Sequence, residues 1–437
     1  MKYSGKGKIE HIIFWSVISA AFIGPGTVTT ALKAGASFDL KLLWAIPFSI
    51  VACIVLQEAA SRITISSGLS LGKAIQMNYN SNKKLNINFL LATAVIFGCI
   101  AYQAGNLTGA LQGIKLVFNI PTPFILLVMY ILAISIMWHG KLMLITKTLG
   151  ILVGLLTIIF LIMAGMSEIS IYKMIRALFT PAIPNGSSLL ILGLIGTTIV
   201  PYNLFLGSGL SKNRNLKDTR FGLSFAILIG GIITASILIS GTLIIGEFSF
   251  ISAQASLVNN LGRWSSFLFA FGLFAAGFTS SVTAPLAAAE TGFSLFKTDS
   301  NLSYRKSTKY RFLWLFVMTI GLAFSLMNLK PVYLIIMAQA INGLILPFVA
   351  ISLLKILNNN RIIPKAYQNN NWQNILMIVI IGITILIGCF HFLNVLSGSI
   401  GIIVSENKLI FAALIVTVLI VLYLSVFTFR KSIDKIS

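Results

Sequence analysis

Apolar runs of about 18 residues or more succeed one another along the whole chain, and each is long enough to cross a bilayer as a helix. Lipid offers no partner to an unpaired backbone N–H or C=O, so runs of this kind fold as helices packed on helices. The chain has 437 residues, 57% of them hydrophobic and 10% charged, with a mean hydropathy of +0.95. That balance describes an all-α polytopic membrane protein of about 12 transmembrane helices. The first run is too long for a cleaved signal peptide and reads as a retained span.

Two of the runs are interrupted near their middles. One break is Phe22-Ile23-Gly24-Pro25-Gly26-Thr27-Val28-Thr29-Thr30; the other is Gly196-Thr197-Thr198-Ile199-Val200-Pro201-Tyr202-Asn203. Proline removes a donor and clashes with the preceding turn, and glycine admits the irregular dihedrals that follow. Unwound backbone at membrane depth is tolerated only where protein buries it or a cavity solvates it. A pair of broken helices at corresponding places in two halves points to the substrate site of an inverted-repeat transporter. Simple proline kinks are the competing reading.

The formal charge of +22 is a topology signal rather than a nucleic-acid footprint. Of the Lys and Arg residues, 24 fall in one set of alternate connections and 8 in the other, together the 32 in the chain. By the positive-inside rule both termini are cytoplasmic, and the expected location is the plasma (inner) membrane of a prokaryote. Cys53, Cys99 and Cys389 lie in apolar runs without CxxC spacing and read as packing residues. His11, His139 and His391 stand near segment ends and read as interfacial.

The runs place spans 1 to 5 at 12–35, 41–66, 88–115, 122–138 and 143–165, then an amphipathic extracellular connection to Ser188. Spans 6 to 10 follow at 188–210, 221–246, 264–290, 312–329 and 331–356, and two extra spans at 375–393 and 409–429. The whole chain, 1–437, reads as one membrane transport domain, with repeat one at about 12–165, repeat two at about 188–356 and the extra helices at about 375–429. Spans 1–5 overlay spans 6–10, break on break. Five is odd, so the second copy enters from the opposite side, which is the LeuT-like (leucine-transporter-like) 5+5 inverted repeat with two broken helices.

Particular residues then point to a family. Ile23-Gly24-Pro25-Gly26-Thr27 through Ala34-Gly35, with Leu42-Leu43-Trp44 and Leu56-Gln57, resembles the first two helices of NRAMP divalent-metal transporters. Val200-Pro201-Tyr202-Asn203-Leu204-Phe205-Leu206-Gly207-Ser208 resembles their Met-Pro-His-Asn-Leu-Tyr-Leu-His-Ser signature, and Gly272 to Ser281 is similar to their eighth helix. The resemblance implies a cation site at Gly24, Thr27, Val200 and Gln339. In the family pattern the first three are Asp, Asn and Met; here the carboxylate, the amide and the thioether are gone. The signature His is Tyr202, and the acidic proton-path positions of helix 3 align with Gln103 and Asn106, which do not ionise.

The candidate lining is therefore polar and neutral: Gly24, Thr27, Thr30, Gln103, Asn106, Val200, Tyr202, Asn203, Gln339 and Asn342. Gln103 and Asn106 share a helix face, as do Gln339 and Asn342, and either pair can equally be helix–helix glue. Thr279, Ser280 and Thr283 on span 8 let helices approach; in the LeuT fold, hydroxyls there can help cage sodium. Glu58 and Arg62, four apart, read as a local ion pair, and Glu290 as an interfacial cap.

Two functions stay open. One is a secondary transporter that moves a cation by alternating access, a hard divalent ion such as Mg²⁺ or Mn²⁺, without strong proton coupling. The other is a transporter of a neutral or zwitterionic organic solute, sodium-coupled, on the same fold. A nontransporting receptor is disfavoured by the absence of an appended domain, and an enzyme by the absence of a nucleophile–base or metal constellation. No cofactor is implied. The expected partners are a small cation or solute and the lipid bilayer, with no nucleic acid and no obligatory protein partner.

Overall fold

The computed structural model describes residues 23–79, 87–139, 142–212, 214–296, 307–327, 329–400 and 404–433. Within them the chain is helical throughout, with no strand. Helix α1 is Pro25–Phe38, α2 Ala45–Ser67, α3 Leu71–Tyr79, α4 Ile87–Lys115, α5 Thr122–His139, α6 Leu142–Met166 and α7 Ile171–Phe179. Then come α8 Ser188–Thr198, α9 Pro201–Leu210, α10 Leu216–Gly241, α11 Phe250–Leu261 and α12 Trp264–Phe296. The last four are α13 Thr308–Leu326, α14 Pro331–Leu357, α15 Asn371–Ile400 and α16 Glu406–Ile433.

Among the described residues 10 helices are long and apolar enough to cross a membrane, counting α8 with α9 as one broken span. They account for spans 2–4 and 6–12. Span 5 is α6, from which α7 turns away by 112°. Span 1 is represented by α1; its first half, like His11, lies outside the described residues.

Several boundaries differ from the sequence reading, each for a physical reason. Span 8 continues to Phe296, and span 11 runs from Asn371 to Ile400 rather than 375–393. Apolar character fades at those ends while helix propensity does not, so hydropathy ends a span too early. His391 consequently sits inside α15, buried, with Nδ1 3.1 Å from the Ser188 hydroxyl at the start of α8. It is a helix–helix contact, not an interfacial residue. The short helices α3 and α11 have no strong apolar run to announce them. Helix α11 opens instead on a capping box, in which Ser249 and Ser252 each bond the other's backbone N–H.

The packing repeats itself between the halves. Helix α4 packs on α12 and α2 on α10, partners at equivalent places in spans 1–5 and 6–10, and α1, after the first break, packs on α8, before the second. Close approach depends on glycine where backbones meet. A Cβ on Gly35 of α1 would strike the Leu238 carbonyl of α10, and one on Gly241 would strike the Leu32 carbonyl of α1. Small residues at such crossings replace the hydrophobic drive that lipid cannot supply.

On the basic side a polar clasp closes the bundle. Glu58 accepts from Arg62 at 3.2 Å and from Arg220 at 2.7 Å, so the expected local pair on α2 also reaches α10. Arg62, only 3% exposed, donates further to Asn369 Oδ1 at 2.6 Å, Gln373 Oε1 at 3.1 Å and the Tyr367 carbonyl at 3.3 Å. Removing one member of a buried charge network strands the others. Arg62→Met is therefore expected to cost about 3 kcal/mol of stability, whereas Arg220→Met, whose side chain is 47% exposed, should cost under about 1 kcal/mol. Thermal unfolding of detergent-purified variants followed by size-exclusion fluorescence checks the order; equal losses would contradict the clasp.

Candidate functional site

The two helix restarts are built alike. Gly24 (φ −102°, ψ 177°) and Val200 (φ −83°, ψ 121°) are extended, and each is followed by a proline at the first helical position. A residue before proline is pushed out of the α region, and proline at the first turn needs no N–H partner, so both breaks are written locally. At the second break the ladder ends with the Ile199 N–H on the Ile195 carbonyl, and resumes with the Asn203 N–H on the Val200 carbonyl at 3.0 Å. The interruption covers Ile199 and Val200, and Pro201, Tyr202 and Asn203 of the break motif already belong to α9.

The breaks are joined side chain to side chain. Thr27 Oγ1 lies 2.7 Å from Thr197 Oγ1, a contact between α1 and α8. The Tyr102 and Tyr202 rings meet edge to face with centroids 5.6 Å apart, bringing α4 to the second break. The Tyr102 side chain stands beside those of Thr197 and Tyr202. A Cβ placed on Gly24 would lie 3.3 Å from Ser280 Oγ and 3.6 Å from the Tyr102 hydroxyl. Thus Ser280 and Tyr102 stand against Gly24, and Thr27, Thr197 and Tyr202 extend the run of hydroxyl side chains between the two breaks. Tyr102 and Thr197 were not among the sequence candidates. Tyr102 carried a weak signal, lying one residue before Gln103; Thr197 was visible inside the break motif itself.

The four amides do not face one point. Gln339 of α14 lies against Gly26, where a Cβ would overlap its amide, so it belongs to the first break. Asn342, one turn on, is directed at Gly98 of α4. Gln103 turns instead toward α13, donating to Met318 Sδ at 3.0 Å and lying against Gly321. Asn106 is fully buried, and both its side-chain polar atoms lack protein partners among the described residues. The same holds for both Gln339 amide atoms and for the hydroxyls of Thr29 and Thr30. Buried polar atoms of this kind are costly unless something is bound to them.

Of the span 8 hydroxyls, Thr279 donates to the Ala275 and Ala276 carbonyls, and Thr283 to the Ser280 carbonyl at 3.3 Å. Only Ser280 is placed by Gly24. Val200 is 2% exposed and Asn203 half-buried. No three His, Cys, Asp or Glu side chains among the described residues come together as a metal centre. Glu58 is held in the clasp described above.

Glycine again sets the spacing. A Cβ on Gly196 would collide with the Gln339 carbonyl of α14, and one on Gly109 with the Pro25 ring. Gly196→Ala is expected to force α8 from α14 and cost about 1–3 kcal/mol, while Gly24→Ala, whose Cβ meets only the Ser280 hydroxyl at 3.3 Å, should cost less, about 1 kcal/mol. Thermal unfolding of both variants decides it; a tolerated Gly196→Ala would contradict the close crossing.

A family model described as natural resistance-associated macrophage protein-like (Nramp) matches residues 16–394. Metal transporter Nramp3 of Oryza sativa subsp. japonica is 27% identical over 309 residues, covering 64% of this chain and 56% of that protein. Divalent metal cation transporter MntH of Caldanaerobacter subterraneus subsp. tengcongensis is 26% identical over 385 residues, covering 83% and 88%. Among solved structures, the Eremococcus coleocola manganese transporter, in complex with an aromatic bis-isothiourea substituted compound, superposes with a TM-score of 0.68 at 18% identity, over 99% of this chain and 97% of that one. Mhp1, a nucleobase-cation-symport-1 family transporter, gives 0.56 at 14% identity, over 95% and 92%. Both likenesses concern the fold.

Proposed function

Since the chain belongs to the Nramp family, we propose that it is a secondary transporter that moves a hard divalent cation, Mg²⁺ or Mn²⁺, by alternating access and without strong proton coupling. The relatives named for their cargo are metal transporters, which supports a metal cation as substrate. The observation that carries the finer reading is the run of hydroxyls of Thr27, Thr197, Tyr102, Tyr202 and Ser280 between the two breaks, with neither carboxylate nor thioether within it.

Oxygen ligands suit hard ions, and a sulfur ligand is what favours softer transition metals. Neutral hydroxyls attract a cation weakly, so they favour one that keeps part of its water shell and is bound through it. Mg²⁺ dehydrates reluctantly and answers that description. Gln339, Thr29 and Thr30 supply further unpaired polar atoms beside the first break. The excess of Lys and Arg in alternate connections supports cytoplasmic termini under this reading.

Binding is expected to be weak and poorly selective, with Mg²⁺ displacing Mn²⁺ at comparable concentrations in isothermal titration calorimetry. Installing Gly24→Asp, Thr27→Asn and Val200→Met together should shift preference toward Mn²⁺ and Cd²⁺ by about tenfold or more. A Cβ at position 24 would stand 3.3 Å from Ser280 Oγ, so that hydroxyl must give by a few tenths of an ångström to admit it. Wild-type uptake of Cd²⁺ unhindered by a large excess of Mg²⁺ would overturn this site. If no divalent ion binds, the organic-solute reading replaces it.

Coupling has its own readout. Gln103 and Asn106 replace ionisable positions, and Gln103 is engaged with a thioether in α13. Proteoliposomes loaded with a pH-sensitive dye should show uptake without matching acidification. Acidification in proportion to uptake would refute the uncoupled mechanism and direct attention to Glu58 and Glu290.

A further inference from the structure

A groove of about 600 Å³ opens at the start of α10, lined by Asn215, Leu216, Lys217, Arg220, Phe221, Ser224 and Tyr367. Its two ends differ in chemistry. At one end stand Lys217 and Arg220 with the polar groups of Ser224 and Tyr367. At the other, Phe221 begins an unbroken apolar stripe along the outer face of α10: Phe221, Phe225, Leu228 and Ile232, which are 76%, 57%, 46% and 58% exposed. Their spacing of four, three and four residues keeps them on one face of the helix, and the Phe221 and Phe225 rings stack with centroids 6.3 Å apart. In a chain that spans a membrane, that stripe meets acyl chains.

The charge balance at the polar end is positive. Lys217 and Arg220 are its cations, and among the described residues no carboxylate lines it. Glu58 is already shared by Arg62 and Arg220, and the Lys217 ammonium has no ion-pair partner among the described residues. We propose that this groove is a binding site for one anionic phospholipid of the leaflet on the basic side. Its phosphodiester is held by Lys217 and the outer edge of Arg220, and an acyl chain lies along Phe221, Phe225, Leu228 and Ile232. A soluble anion would satisfy the cations but gain nothing from the apolar wall. A zwitterionic lipid would satisfy the wall but bring its own cation to a site already in positive excess. Membrane-surface cations attract anionic headgroups in this way. The site also touches function at a distance, because Arg220 carries the bridge from α10 to Glu58 on α2.

Native mass spectrometry of the detergent-purified protein tests this with phosphatidylglycerol, phosphatidylcholine of the same acyl chains, and acyl-free glycerophosphoglycerol. Wild type should bind phosphatidylglycerol about fivefold more tightly than phosphatidylcholine, and Lys217→Gln should bring the two near parity. Phe221→Ser should weaken both lipids. Lys309→Gln, an exposed basic residue elsewhere, should leave the preference intact. Lys217 and Phe221 are both exposed, so neither replacement opens a cavity in the core. Equal binding of the two lipids by wild type, or an undiminished preference in Lys217→Gln, would sink the proposal. So would displacement of phosphatidylglycerol by equimolar glycerophosphoglycerol, which would make the groove a soluble-anion site.

Discussion

Every backbone polar group at membrane depth must find a partner inside the protein, and this constraint decides where the chain can stop being helical. Among the described residues the helix is interrupted at Ile199–Val200 and starts afresh after Ile23–Gly24, and both places are enclosed by neighbouring helices. The enclosure is tight because glycine lets backbones touch: Gly196 lies on the Gln339 carbonyl, Gly109 on Pro25, and Gly35 and Gly241 on each other's helices. Were those crossings wider, the unwound residues would face lipid. Glycine packing, proline restart and a central polar site are thus one arrangement seen from three sides.

Much of the architecture was legible because the signals were local. Apolar run length gives spans, and a Gly-Pro or Val-Pro step inside a run gives a break, since the residue before proline is held extended. The pairing of α4 with α12 and α2 with α10 follows from the repeat, which the two breaks reveal. Side-chain direction was less legible. Gln103 and Asn106 share a helix face three residues apart, yet Gln103 reaches Met318 of α13 while Asn106 stays unpaired. A helix buried on all sides has no single inward face, so spacing along it cannot say which neighbour a residue meets. Tyr102 was missed for the same reason, and Arg62 gained Tyr367, Asn369 and Gln373 from the connection after α14 and the start of α15, which no periodicity connects to it.

The neutral residues at the site and along α4 are consistent with one another in energetic terms. A carboxylate buried beside a broken helix is stable only when a cation or proton keeps it company, because an isolated charge there is costly to desolvate. A chain that holds a carboxylate at position 24 therefore needs a way to neutralise it between cargoes, and ionisable groups on a neighbouring helix can supply protons for that purpose. With glycine at 24 that need disappears. Thr27 and Thr197 can satisfy each other, the Tyr102 side chain stands beside Thr197 and Tyr202, and Gln103 can be a packing amide against α13. On the proposed reading, the neutral residue at position 24 and the neutral residues along α4 are then one change in the chemistry of the interior. The same logic explains why the charged clasp of Glu58, Arg62 and Arg220 is confined to the basic end of the bundle: there the loop after α14 supplies the hydrogen bonds that the middle of the membrane lacks.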